Sequence, residues 1–203
     1  MLELLQTNPI SFVIIIVGLL FALTFHEAAH AFAAHWLGDS TAKMEGRLTL
    51  NPLAHLDLLG TLALIFFKFG WGKPVPVNPN NFRNPALGNF MVALAGPFTN
   101  LLLAIILAGI ARLIPVDTMA FAILESIVFI NILLAFFNLL PIPPLDGSKI
   151  LGLFMNQQSY YELERFGPFI LIGFIFVMMT SRLPFLTYFV DWISKVTSFL
   201  TGS

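Results

Sequence analysis

The pentapeptide His26-Glu27-Ala28-Ala29-His30 lies inside an apolar run covering about residues 9–37. A helix of that length crosses the hydrocarbon core of a bilayer. Residues four apart share one helix face. At about 100° per residue, His26 and His30 are about 40° apart, and Glu27 lies beside them on the same side, about 60° from His30. Two imidazoles on one face can hold a zinc ion, which leaves the adjacent carboxylate to take a proton from water at the metal. In a chain with 4 His among 203 residues, an HExxH is expected by chance roughly 0.002 times. Three ionisable side chains at membrane depth are costly and mark a functional site by default. The competing explanation, histidines acting as polar glue between helices, carries much less weight.

Composition supports the membrane reading. The chain is 58% hydrophobic and 10% charged, with mean hydropathy +0.87, whereas a soluble domain carries about 25% charge. The net charge of -1 gives no basic excess for nucleic acid. There is no cysteine, so disulfides, thiolate ligands and a cysteine nucleophile are all excluded. Any metal must be held by His, carboxylate, amide or water. Residues 1–9 hold no Lys or Arg, so the first apolar run is expected to be a retained span.

Four spans are expected, at about residues 9–37, 86–113, 118–140 and 168–181. Residues 58–69 are apolar but too few for a crossing, which needs about 20, so this stretch is expected to be re-entrant. Residues 41–57 read as irregular or β-like, and within them 43–50 could form a short hairpin around Gly46, a small β-like region. Residues 70–79 are rich in proline and suit an extended edge. Either 41–50 or 74–78 could hold an unwound peptide. Gly96-Pro97 is expected to mark a break or close helix contact within the second span. Asn100, just after it, is as readily a packing amide as a catalytic one. Residues 185–200 read as an amphipathic helix at the interface. The fold class is therefore an all-α integral membrane protein: about four transmembrane helices, a re-entrant segment, a small β-like region and a C-terminal amphipathic helix.

Basic residues set the orientation. Lys43, Arg47, Lys68, Lys73, Arg83, Lys149 and Arg165 fall on one side, and Arg112, Arg182 and Lys195 on the other. The excess places the HExxH end of span one towards the cytoplasm. Catalytic zinc usually has three protein ligands. Trp36 stands where extended soluble motifs place a third His, and His35 is turned about 180° from the zinc face. His55, Asp57, Asp39, Glu45 and Asp146 remain. Asp146 is the best held, because Pro141, Pro143 and Pro144 stiffen the turn before it. Taken alone, Asp146-Gly147 is equally an ordinary Asp-Gly turn. Glu125 is expected near the far interface, and His55 and Asp57 either line a water path or cap a loop.

His26-Glu27-Ala28-Ala29-His30, followed over a hundred residues later by Asn138-Leu139-Leu140-Pro141-Ile142-Pro143-Pro144-Leu145-Asp146-Gly147, resembles the site-2 protease family of intramembrane zinc metalloproteases. The likeness runs from about Leu23 to Gly152, includes residues 51–60 and 73–78, and is to the compact prokaryotic branch. It implies one zinc ion held by His26, His30 and Asp146, with Glu27 as general base and Asn138 assisting at the scissile carbonyl. It further implies a single polytopic protease domain over 1–203, with the core at about 9–152, C-terminal helices at 160–203, and no PDZ or CBS module. The implied setting is a prokaryotic inner or plasma membrane, with the active site towards the cytoplasm. The partners would be the lipid bilayer and a transmembrane protein or peptide substrate. The other functions to weigh are a membrane metal transporter and a non-catalytic zinc-binding scaffold that holds helices.

Overall fold

The computed structural model describes residues 1–67, 70–180 and 185–203; Lys68 and Arg182 of the charge count lie outside them. A short helix, α1 (Leu2–Thr7), leads into α2 (Pro9–Trp36). Asn8 caps α2 by accepting from the Ser11 N–H, and Pro9 opens it without wasting a donor. Gly38, at φ +109°, turns the chain away after α2. Next come α3 (Thr41–Met44), α4 (Leu58–Phe67), α5 (Pro85–Ala111) and α6 (Met119–Asn138). A 3₁₀ helix (Asp146–Leu153), α7 (Gln157–Thr180) and α8 (Phe185–Thr201) complete the order. Asn84 and Pro85 start α5 as Asn8 and Pro9 start α2, and Thr118 caps α6.

Among the described residues, α2, α5 and α6 are long and apolar enough to cross a membrane. They pack on one another, α5 against both of the others. Small residues line the seams: Ala22, Ala28, Ala31 and Ala34 on α2, and Ala93, Gly96, Ala104, Ala108 and Ala111 on α5, are buried. In lipid, close backbone approach replaces the hydrophobic effect as the source of helix pairing. A Cβ at Gly18 would stand 2.8 Å from Ile130 Cδ1, so α2 and α6 touch there. Val13, Val17, Ile105 and Ile106 are exposed on the outer faces, as lipid contact requires. Of the two alternatives at Gly96-Pro97 the close helix contact occurs, with Gly96 against the histidines of α2, while α5 stays one helix with Pro97 inside it.

The hairpin expected at 43–50 is absent, and no strand forms among the described residues. Asp39 is the reason. Its carboxylate accepts from the Thr41 N–H at 3.1 Å and from the Thr41 hydroxyl at 2.5 Å, which starts the helical turn α3. It also accepts from the Asn78 N–H and from Asn81 Nδ2, both at 2.7 Å. Arg47, which a hairpin would expose, is instead buried, and it donates to the carbonyls of Lys73 and Pro74. Residues 73–77 run extended without a ladder. The only pairing here among the described residues is an isolated antiparallel bridge between Leu56 and Gly72. Prolines 74 and 76 remove the donors a sheet would need.

Burial alone would raise the Asp39 carboxyl, but the hydrogen bonds from Thr41, Asn78 and Asn81 outweigh it and hold it below its usual range. Asp39 thus contributes fully to stability above the ordinary carboxyl pKa of about 4. That contribution fades as pH falls through the depressed folded value. Asp39→Ala should cost about 3 kcal/mol at neutral pH. It should also flatten the acid limb of stability, as read by circular dichroism of the detergent-solubilised protein at a series of pH values.

The C-terminal elements differ from the expectation in position. The fourth expected span lies within α7, which starts eleven residues earlier, at Gln157, and carries Pro168 in its interior; Ser181 is outside the described residues. Helix α8 rests on α5 and α6. Ile193 is fully buried there beside Ala104, Ala108, Val128 and Ile132, while Phe199 is exposed. Arg112 donates to the Phe199 and Leu200 carbonyls, each at 2.7 Å, and so satisfies the open end of α8.

Candidate metal centre

His26 and His30 sit one turn apart on α2, on the face turned to α5. Their rings are perpendicular, with centroids 4.6 Å apart. Asp146 arrives from the turn after α6. Leu145 N–H bonds the Ile142 carbonyl, and the Ser148 hydroxyl bonds the Leu145 carbonyl. A Cβ at Gly147 would lie 2.1 Å from the Leu139 carbonyl oxygen, so only glycine lets this turn fold back on the end of α6. The result is one convergence. Asp146 Oδ2 is 3.0 Å from His26 Nε2 and 3.3 Å from His30 Nε2, and the three ligand atoms lie within 4.8 Å of one another.

The other ring nitrogens show which atoms are free. His30 Nδ1 is 2.8 Å from the Val92 carbonyl, which only accepts, so Nδ1 carries the proton. Asn100 gives its NH₂ to the Ala22 carbonyl and to Asn131 Oδ1. Its Oδ1 therefore faces His26 Nδ1, at 2.6 Å, and accepts from it. When neutral, both imidazoles thus turn a lone pair towards Asp146. With the carboxylate ionised, three acceptors then face one another, an arrangement that a cation between them satisfies. A tetrahedral ion bound at about 2.0–2.1 Å separates its ligand atoms by about 3.3–3.4 Å, close to the 3.0 and 3.3 Å from Asp146 Oδ2 to the two imidazoles, and the N, N, O donor set suits zinc. Orientation of ligand imidazoles by outer hydrogen bonds is the usual support for such a site.

Gly96 makes room. A Cβ there would stand 2.5 Å from His30 Nε2 and 2.7 Å from His26 Cε1. Pro97 follows and offers no N–H to the Ala93 carbonyl one turn back, so the helix ladder lacks a bond beside the carbonyl that receives His30. Glu27 follows His26 directly, is half-buried, and forms no ion pair among the described residues.

The sequence nominated five site residues. His26, His30 and Asp146 come together, and Glu27 lies beside them in the chain. Asn138 ends α6, and its amide donates one hydrogen to the Leu134 carbonyl at 3.0 Å. It makes no hydrogen bond to the trio. The remaining candidates are engaged elsewhere. His35 pairs with Ser40, His55 is buried against Thr49 and Arg47, Asp57 caps α4 at Gly60, and Glu125 accepts from Ser203. Sequence reasoning did not assign the supporting roles of Val92, Gly96, Asn100 and Asn131. The available signal was that Gly96 and Asn100 are four apart, on one face of an apolar helix.

Comparison with known proteins agrees with this geometry. The profile of Peptidase family M50 matches residues 115–180, which include Asn138 and Asp146. The chain is 40% identical over 148 residues to the candidate zinc metalloprotease YwhC of Bacillus subtilis, covering 68% of this chain and 67% of YwhC. It is 32% identical over 202 residues to the candidate zinc metalloprotease Rip2 of Mycolicibacterium smegmatis, covering 95% of this chain and 78% of Rip2. The Rip2 protein of Mycobacterium tuberculosis is 32% identical over 178 residues, covering 85% of this chain and 69% of that relative. No solved structure matches. Apolar helices long enough to span a bilayer, a paired-histidine and aspartate centre, and relatives of this extent lead to one conclusion: the chain is a multi-pass membrane protein of peptidase family M50, the site-2 proteases.

Proposed function

We propose that His26, His30 and Asp146 hold the zinc ion of this intramembrane metalloprotease and that Glu27 is its general base. The observation that carries the assignment is the meeting of three lone-pair donors from residues 120 positions apart in the chain. When bound, zinc supplies Lewis acidity and makes water acidic enough to react near neutral pH. Glu27 accepts the proton of the attacking water and returns it to the leaving amine. Asn138 has a second amide hydrogen beyond the one given to Leu134, and this donates to the scissile carbonyl as it becomes an oxyanion.

The substrate is a membrane-embedded segment of another protein. A helical peptide bond is shielded by its own turn and must unwind to be cut. Of the two edges considered, 41–50 is the less favoured, because Thr41–Met44 form the helical turn α3. The extended stretch 74–78, anchored through Arg47 and Asp39, is the one able to pair with unwound backbone. The basic residues near α3 and the 3₁₀ helix support a site facing the cytoplasm, and the bacterial relatives support a prokaryotic cell membrane as its setting. The re-entrant reading of 58–69, of which residues 68 and 69 lie outside the described residues, is supported by the bridge between Leu56 and Gly72 and by α4, which is about 15 Å long, half a bilayer core. Helix α7 supplies the fourth span. A metal transporter would spread its ionisable groups along a path, whereas His35, His55 and Asp57 are each held in local hydrogen bonds. A holding scaffold has no use for Glu27 beside the centre.

The test uses the full chain in proteoliposomes with a membrane-embedded peptide. Cleavage should stop on zinc chelation and return with zinc. Asp146→Ala should retain well under one zinc per chain. Full zinc retention in that variant would remove Asp146 from the ligand set, and metal transport without cleavage would favour the transporter.

A further inference from the structure

The buried polar chain behind His26 continues one residue further than the metal centre itself needs. Asn131 on α6 is fully buried. Its Nδ2 donates to the Ile127 carbonyl at 2.8 Å. That carbonyl only accepts, so it fixes the amide and turns Asn131 Oδ1 towards Asn100, whose Nδ2 donates to it at 2.8 Å. The other hydrogen of the Asn100 NH₂ goes to the Ala22 carbonyl at 3.1 Å. Asn100 Oδ1 is then the atom that meets His26 Nδ1.

An amide has two ends, and the wrong one would disable the ligand. With Asn100 flipped, an N–H would face His26 Nδ1 and the ring proton would move to Nε2, where the metal must bind. The flip also sets Asn100 Oδ1 against Ala22 O and Asn131 Oδ1, three acceptors in contact at a buried site. Without Asn131, only Ala22 opposes it.

We infer that Asn131 is a positioning residue for the metal centre, acting through Asn100 to keep the His26 proton on Nδ1 and leave Nε2 open. The inference rests on His26 being a ligand. It extends the support of the centre to α6, so that all three apolar helices take part in holding one imidazole.

The experiment measures zinc affinity by chelator competition in the detergent-solubilised full chain, for the wild type, Asn131→Leu, Asn131→Asp and His26→Ala. It adds ¹⁵N NMR of the metal-free protein labelled at histidine. Asn131→Leu should weaken zinc binding about tenfold and bring up an Nε2–H imidazole signal. Asn131→Asp keeps an acceptor towards Asn100 and should stay within about threefold of wild type. A purely structural role gives the opposite order, because a buried leucine is tolerated better than a buried aspartate. If Asn131→Leu does not fold, Asn131→Ala carries the same expectation. Wild-type affinity with an unchanged imidazole spectrum in the apolar variant overturns the inference. Undiminished zinc binding by His26→Ala overturns the ligand assignment instead, so the two failures are told apart.

Discussion

Glu27→Gln should keep its zinc and lose its turnover. Glutamine has the shape of glutamate but cannot take up a proton at neutral pH. The substitution leaves both imidazoles, Asp146 and their outer partners Val92 and Asn100 in place. General-base catalysis contributes about 10²–10⁴ in rate, so cleavage of a membrane-embedded peptide should fall by that factor, about 3–5 kcal/mol of barrier. Zinc per chain, read by elemental analysis on the same preparation, should remain near one. Among the described residues no ion pair holds Glu27 in the resting site, so its loss should not unsettle the fold. Cleavage at the wild-type rate would remove Glu27 from the mechanism. Loss of zinc together with activity would make it part of the metal's support.

Gly96→Ala should damage the centre with a single methyl group on a different helix. The added carbon would stand 2.5 Å from His30 Nε2, 2.6 Å from His30 Cε1 and 2.7 Å from His26 Cε1. Contacts this short force something to move. The rings cannot turn aside freely, because each is tied at Nδ1, one to Asn100 and the other to Val92. Relief comes by breaking one of these bonds or by parting α5 from α2. Overpacking of this kind costs about 1–3 kcal/mol. Loss of an orienting bond costs about 10–100-fold in metal affinity, and with both ligands crowded the effect should reach the upper end. Chelator competition measures the affinity, and thermal unfolding in detergent measures the packing cost. A Gly96→Ala protein with wild-type zinc affinity would show that α5 does not approach the imidazoles this closely.

The local chemistry of the centre was legible in the chain. The spacing of His26 and His30 acts through the helix period, and the prolines before Asp146 act on the residues next to them. Both effects survive without any knowledge of the fold, so the candidate pair His26 and His30 and the stiffened turn at Asp146 could be picked out from residue order, and the family resemblance joined them into one proposed site. The turn at 41–50 was misread for the same reason. Alternation around Gly46 is a local signal, and it lost to Asp39 and Arg47, whose partners at 73–81 lie some thirty residues away.

What the tertiary structure alone decided is which face of α5 and of α6 turns inward. In a soluble helix the polar side reveals the buried one. In lipid both sides are apolar, so periodicity does not separate the protein face from the bilayer face. Val92 therefore looks like an ordinary span residue, and the tasks of Gly96, Asn100 and Asn131 stay undefined, until the helices are packed. Their roles come from meeting α2 at van der Waals distance, where a missing Cβ, a backbone carbonyl and two amides set the direction of two imidazole rings.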